Sequence, residues 1–188
     1  QNPMVHNERY AILIAGGGAG KITITSGNWP AFWNDISALY KKLRDNYNYK
    51  LQNMYILDYN NDGWLDAQMV YRDGIQIDGR ATQVNLMKTF NYIRNKITKN
   101  DFLFFSSATH GQKDYPTASV VNYISIMDHY NKPYAFNLSY QTIAKMIKGE
   151  RYWNLVPEGT QPMIYNRAVF IFWACGSGEA IDYIANFN

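Results

Sequence analysis

Two segments of the chain place an imidazole and a thiol in similar surroundings. His110, with Gly111 after it, follows one apolar run, and Cys175, the only cysteine, follows another. A thiolate is a nucleophile, and an imidazole can accept its proton or protonate a leaving amine. Glycine beside such residues lets backbone N–H groups approach a substrate carbonyl and stabilise its oxyanion. We therefore predict an acyl-transfer site formed by Cys175, His110 and Gly111; the alternative is a buried cysteine and an unrelated polar histidine.

A second group of polar residues predicts a cation site. Oxygen-bearing side chains stand at alternate positions from Asp58 onward, with Gly63 in the sixth place. A loop that turns carboxylate and amide oxygens inward suits a hard cation such as Ca²⁺. The predicted ligands are Asp58, Asn60, Asp62 and Asp66. Met69 stands where an EF-hand has its bidentate acid, so this is not an EF-hand, and a turn rich in Asn, Asp and Gly without a metal is the alternative.

The glycine-rich segment Gly16–Lys21 fits a phosphate-binding loop poorly. The Walker pattern requires a glycine five residues before its Gly-Lys pair and Ser or Thr after it. This chain has Ala15 and Ile22 at those places. A nucleotide-binding protein is thus a disfavoured alternative, and we expect the segment to be a flexible loop beside the site.

The elements that position these residues follow from the hydrophobic pattern. Short apolar runs alternate with segments of helical period, which predicts a three-layer α/β/α fold with a mostly parallel central sheet. The predicted strands are Tyr10–Ala15, Asn53–Leu57, Phe102–Phe105 and Ala168–Trp173, and the predicted helices are Ala31–Tyr47, Val84–Ile97 and Ser139–Lys148. Sites in such sheets form at the carboxyl ends of the strands. His110 and Cys175 both stand just after a predicted strand.

Three local signals add detail to this pattern. A hairpin is expected where Ala67–Tyr71 and Ile75–Ile77 flank an Asp73-Gly74 pair. Ser139 is the expected N-cap of the third helix. Gly149 is its expected stop.

Length and composition limit the class of protein. The 188 residues, 47 % of them hydrophobic and 18 % charged, indicate one globular domain over residues 1–188. The net charge of +3 comes from scattered basic residues, so no nucleic-acid partner is expected. Every apolar stretch is shorter than the roughly 18 residues that span a bilayer, so no membrane partner is expected either. A start at Gln1 rather than Met favours a processed protein that is secreted or periplasmic.

The segments around His110 and Cys175 resemble the clan CD cysteine peptidases, which have the caspase-like fold, and most closely the legumain branch. That pattern is an apolar strand ending in His-Gly, then, one crossover later, an apolar strand ending in Ala-Cys-x-Ser-Gly. The resemblance implies a cysteine endopeptidase, a hydrolase with Cys175 as nucleophile and His110 as catalytic imidazole. It also implies an oxyanion hole from the N–H groups of Gly111 and Cys175, a peptide or protein substrate, and no cofactor required for the chemistry.

The resemblance does not extend to the specificity pocket. Legumain-like enzymes have an Arg-His pair before the first helix and an acidic residue two places before the cysteine. This chain has Ala31-Phe32 and Trp173 at those places. An asparagine preference is therefore not implied by the pocket residues.

Relatives in that family have two further strands beyond the cysteine, whereas this sequence stops at Asn188. Because legumain-like enzymes cut after Asn, we expect self-processing of a zymogen after Asn188, with the cleft completed by a C-terminal chain of the same precursor. An ending unrelated to self-cleavage is the alternative. Two other functions are compatible with the resemblance: a transamidase or peptide ligase of the same fold, and a non-catalytic caspase-like interaction module.

Overall fold

The computed structural model describes residues 7–16, 30–59, 70–113, 122–127, 135–151, 156–174 and 180–184. Its helices and strands in chain order are β1 (Arg9–Ala15), α1 (Pro30–Tyr47), β2 (Met54–Asp58), β3 (Val70–Arg72), β4 (Ile75–Ile77), β5 (Gly79–Arg80), α2 (Gln83–Arg94), β6 (Phe102–Ala108), β7 (Gly111–Lys113), β8 (Asn122–Met127), β9 (Ala135–Ser139), α3 (Tyr140–Lys148), β10 (Arg167–Trp173) and α4 (Ala180–Ile184). A short 3₁₀ helix, Leu51–Asn53, precedes β2.

A five-stranded sheet in the order β10-β6-β1-β2-β5 forms the centre of the fold. All of its neighbouring strands run parallel. Two antiparallel units accompany it, the hairpin β3-β4 and the sheet β7-β8-β9. The predicted α/β fold with a mostly parallel central sheet is confirmed, and each of the four predicted apolar runs overlaps a strand of that sheet.

Helices cover both faces of the sheet, which gives the three layers. On one face, Leu13 of β1 belongs to a buried cluster with Trp33 and Ile36 of α1. On the other face, Ile12 belongs to a cluster with Phe90 of α2 and with α3. Because β1 is buried on both faces, it reads as a continuous apolar run and not as an alternating one.

Side-chain caps fix where two of the helices begin. Thr82 Oγ1 accepts the N–H of Asn85 at 3.1 Å at the start of α2, and Ser139 Oγ accepts the N–H of Thr142 at 3.1 Å at the start of α3. Helix α3 ends at Lys148, and its C-cap, Gly149, has a φ of 71°, in the left-handed region. The predicted start and stop of this helix are confirmed.

The hairpin forms where the Asp-Gly pair predicted it. Asp73 and Gly74 have φ values of 51° and 75°, as a two-residue turn with positive φ at both positions requires. The second strand, Ile75–Ile77, is confirmed. The first strand begins at Val70 within the described residues and continues to Arg72.

Two features differ from the sequence pattern. Helix α2 ends at Arg94, although the apolar spacing extends to Ile97, because the chain turns there and still buries Ile97 in the core. Strands β7–β9 were not predicted: β9 does alternate, as in Phe136-Asn137-Leu138-Ser139, but these strands are short and β7 carries no apolar residue. Within the ranges described, every helix is too short or too polar to cross a bilayer.

The core makes a stability prediction. Phe90 is fully buried, and its ring stacks on Phe105 of β6 with centroids 6.0 Å apart. Truncation by Phe90→Ala should lower the free energy of unfolding by about 3–5 kcal/mol, because it leaves a cavity between α2 and the sheet. Urea unfolding measures this, with the exposed Lys88→Ala on the same helix as a control expected to change stability by no more than about 0.5 kcal/mol. Equal losses in the two variants would contradict the assignment of Phe90 to the core.

Candidate functional site

The carboxyl ends of the central strands lie level with one another at one edge of the sheet. Ala108, the last residue of β6, is paired in register with Ala15 of β1 on one side and with Trp173 of β10 on the other. Backbone hydrogen bonds continue the pairing by one residue: Gly16 N–H donates to Ala108 O at 2.8 Å, and Thr109 N–H donates to Trp173 O at 3.2 Å. The segments that follow these strands therefore start from fixed, adjacent positions.

His110 leaves this edge on the face that α1 covers. Its imidazole meets the ring of Phe32, in the first turn of α1, with centroids 4.9 Å apart and planes at 86°. Such edge-to-face contacts are worth about 0.5–1.5 kcal/mol beyond burial. His110 is only half-buried. Its ring is thus held in orientation and still reached by solvent, which a group that transfers protons needs.

Gly111 continues the chain into an ordered antiparallel sheet. It is the first residue of β7 and is paired with Ile124 of β8. The backbone around His110 is therefore positioned by the strand before it, β6 of the central sheet, and by the strand after it, β7 of the antiparallel sheet. The role of its N–H as an oxyanion donor stays a prediction.

Cys175 lies outside the described residues. It follows Trp173 by two positions in the sequence, and His110 follows Ala108 by two positions. Because Trp173 and Ala108 are partners in the register of β10 and β6, the strand end that leads to the cysteine is beside the strand end that carries the histidine. The pairing of the two side chains stays a prediction.

Only one of the four predicted calcium ligands is described. Asp58 is buried at the end of β2, and its Oδ2 accepts a hydrogen bond from Nη1 of Arg72 at 2.8 Å in an ion pair. Asn60, Asp62 and Asp66 lie outside the described residues, as do Gly17–Lys21 of the glycine-rich loop and Asn188. Within the described part of the chain, no group of three His, Cys, Asp or Glu side chains is arranged to hold a metal. The calcium site stays a prediction, and an ion there would share Asp58 with a guanidinium.

Sequence reasoning missed a cluster beside the site, which we call the Arg72 cluster: Trp33, Asp58, Arg72 and Asp73. The guanidinium carbon of Arg72 lies 4.6 Å from the centroid of the Trp33 ring. The indole Nε1 donates to Asp73 Oδ2 at 2.6 Å. The Asp-Gly pair signalled the hairpin, but no local pattern links it to β2 or to α1.

The contacts of the Arg72 cluster hold the hairpin β3-β4 against the first turn of α1, the same turn that contacts His110. Phe32, which meets His110, and Trp33, which meets Arg72, are consecutive residues of α1. A cation over an indole ring and a buried ion pair together restrain the hairpin relative to the sheet edge. The hairpin is therefore held in place beside the carboxyl edge of the central sheet, on the face that α1 covers.

Tyr59, the first residue after β2, is unsuited to proton transfer. It is almost fully buried on the face opposite α1. This burial raises the pKa of its hydroxyl to about 12, because the phenolate would lose its solvation. The hydroxyl is therefore neutral near physiological pH.

Comparison with known proteins adds no assignment to this geometry. The chain matches no protein-family model and no curated protein sequence. Any function proposed for it therefore rests on the residues and their arrangement.

The ion pair of the Arg72 cluster makes a prediction about stability and pH. In Arg72→Met, the buried carboxylate of Asp58 loses its ion pair with Arg72, which should cost about 3–5 kcal/mol of unfolding free energy near pH 7. The lost interaction is one with the ionised carboxylate, so the deficit is expected at higher pH and should shrink as the pH falls and the carboxyl is protonated.

Urea unfolding of the variant and the wild type at about pH 7 and about pH 4.5 measures this deficit. The double variant Asp58→Asn/Arg72→Met is the matched control and should show a smaller pH dependence of the deficit. An Arg72→Met deficit that is the same at both pH values would show that the pair is not electrostatically important.

Proposed function

We propose that this protein is a cysteine endopeptidase of the clan CD, caspase-like type, which hydrolyses peptide bonds with Cys175 and His110. The observation that supports this most is the parallel pairing of β6 with β10, in which Trp173 is opposite Ala108. It makes the segments leading to the two reactive residues neighbours at the carboxyl edge of the sheet, where α/β proteins form their sites.

The reaction proceeds in two steps. The thiolate of Cys175 attacks the scissile carbonyl carbon and forms a tetrahedral oxyanion, which the N–H groups of Gly111 and Cys175 stabilise. The C–N bond then breaks, His110 donates a proton to the leaving amine, and an acyl-enzyme remains. Water attacks this thioester with His110 accepting its proton, the C–S bond breaks, and the carboxylic acid product leaves. An amine in place of water would give the transamidase or ligase reaction.

The surroundings of His110 suit this role. Its ring plane is restrained by Phe32, and its partial exposure leaves the imidazole accessible to a leaving group and to water. The ladder from Gly111 into β8 holds the backbone next to it. Preorganised groups of this kind need little rearrangement when charge develops in the transition state.

A metal has no part in these steps. A Ca²⁺ ion bound between Asp58 and Asp66 would be structural or regulatory. It would have to compete with the Arg72 guanidinium for the Asp58 carboxylate.

Loss of either reactive group tests the proposal. A positional library of fluorogenic peptides, with and without Ca²⁺, should show cleavage by the wild type, and Cys175→Ala and His110→Ala should each lower kcat/KM by about a thousandfold or more. His129→Ala, at a histidine away from the proposed dyad in the sequence, is the control and should retain activity. Absence of cleavage in every condition, together with a Cys175 thiol that iodoacetamide does not alkylate, would reject the enzyme and favour the interaction module.

Phe32 is the proposed positioning residue for the imidazole. Phe32→Ala should lower kcat about three- to tenfold with little change in KM, because the ring contact orients His110 and is worth about 0.5–1.5 kcal/mol. Phe32→Tyr keeps the aromatic edge and should restore most of kcat. A rise in KM at constant kcat would instead indicate that Phe32 contacts the substrate.

A further inference from the structure

A groove of about 570 Å³ crosses the outer edge of β2, away from His110. Its size is in the range of small-molecule and side-chain pockets. Its lining includes four tyrosines and one carboxylate, namely Tyr40, Tyr55, Tyr71, Tyr92 and Asp78. The tyrosines come from four elements, α1, β2, β3 and α2, so the groove is a product of the fold and not of one local motif.

Asp78 lines this groove and caps the edge of β2 beside it. Its Oδ2 accepts the N–H of Ile56 at 2.7 Å, and its own N–H donates to Ile56 O at 2.9 Å. Strand β5 pairs with β2 only at Leu57 and Asp58, further along. The backbone of Ile56 is therefore already paired and is not open to a strand of a ligand.

Within the part of the chain that the structure describes, the charge of Asp78 has no opposite charge paired with it. Among the described residues, no lysine or arginine forms an ion pair with its carboxylate, whereas Asp58 and Glu8 each have one. Asp78 is exposed to the groove, and the protein around it raises the pKa of the carboxyl by desolvation. A carboxylate in such surroundings is stabilised by a cation that enters the groove.

The groove presents exposed aromatic rings, to whose faces cations bind. Tyr55 and Tyr92 meet edge to face at 5.5 Å. Tyr71 is 60 % exposed and Tyr92 49 % exposed, large fractions for aromatic side chains. The Nζ atom of Lys96 already lies 3.9 Å from the centroid of the Tyr92 ring, which shows that a ring at this rim accepts a cation on its face.

We propose that the groove binds an arginine side chain of a peptide or protein, with its guanidinium paired with Asp78 and covered by the tyrosine rings. A planar guanidinium combines charge-assisted hydrogen bonds to a carboxylate with stacking on aromatic faces. A neutral sugar would use the rings but would leave the charge of Asp78 unmatched in partly desolvated surroundings. The inference does not depend on the proposed peptidase activity, since the groove is on a different edge of the sheet.

Binding of N-acetylarginine amide to the full chain tests this proposal. The binding is measured from the shifts of backbone amide signals in ¹⁵N NMR spectra. The neutral isostere N-acetylcitrulline amide and the disaccharide maltose are the comparison ligands. The same titration of the Cys175→Ala variant shows whether the shifts depend on the thiol. We expect saturable shifts at Gln76 and Asp78 with the arginine probe and much weaker ones with the other two.

Two variants and a control identify the groups responsible. Asp78→Asn removes the charge while its amide oxygen can still accept the N–H of Ile56, and it should weaken arginine binding about tenfold or more. Tyr71→Ala removes an exposed ring and should weaken binding severalfold. Tyr47→Ala, at an equally exposed tyrosine of α1 outside the groove lining, should have no effect. Equal binding of arginine and citrulline probes, preference for maltose, no saturable shift, or an unaffected Asp78→Asn variant would each overturn the proposal.

Discussion

The burial of β1 on both faces is the constraint on which the rest of the structure depends. Six of its seven residues are buried, with helices on either side, so the strand can only be central in the sheet. Its parallel partners β2 and β6 are then set in register by the backbone ladder, and β10 follows β6. The alignment of four strand ends at one edge is therefore a consequence of core packing, and any site at that edge depends on it.

Much of this framework could be predicted from the chain alone. The strands were recognisable because buried parallel strands such as Tyr10–Ala15 are continuous apolar runs, and α3 was recognisable because Ser139 and Gly149 are strong local signals. The three-layer arrangement followed from the alternation of these elements. These elements could be predicted because an apolar run or a helix cap depends only on residues that are close together in the sequence.

Other features depend on contacts between distant residues. The Arg72 cluster joins residues up to 40 positions apart, and the contact between Phe32 and His110 crosses from a helix to a strand end. Asp78 became a partner of Ile56 only because the hairpin returns the chain to the edge of β2. The sheet β7-β8-β9 was also missed, because its strands are short and are identified by pairing between segments that are separated in the sequence. His110 and Cys175 could be proposed as reactive residues from the sequence, whereas the contact of His110 with Phe32 and the position of the hairpin could not.

The carboxylate of Asp78 has a further consequence for how the molecule meets other chains. The hydrogen bonds of Asp78 to the backbone of Ile56 prevent a strand of another chain from pairing with this part of β2. They therefore oppose edge-to-edge aggregation on this side of the sheet. On the opposite side, β10 pairs with β6 alone in the described sheet, and its Val169 and Trp173 side chains are exposed. The two sides of the described sheet thus differ: the backbone of Ile56 in β2 is already paired with Asp78, whereas β10 has no described strand on its outer side.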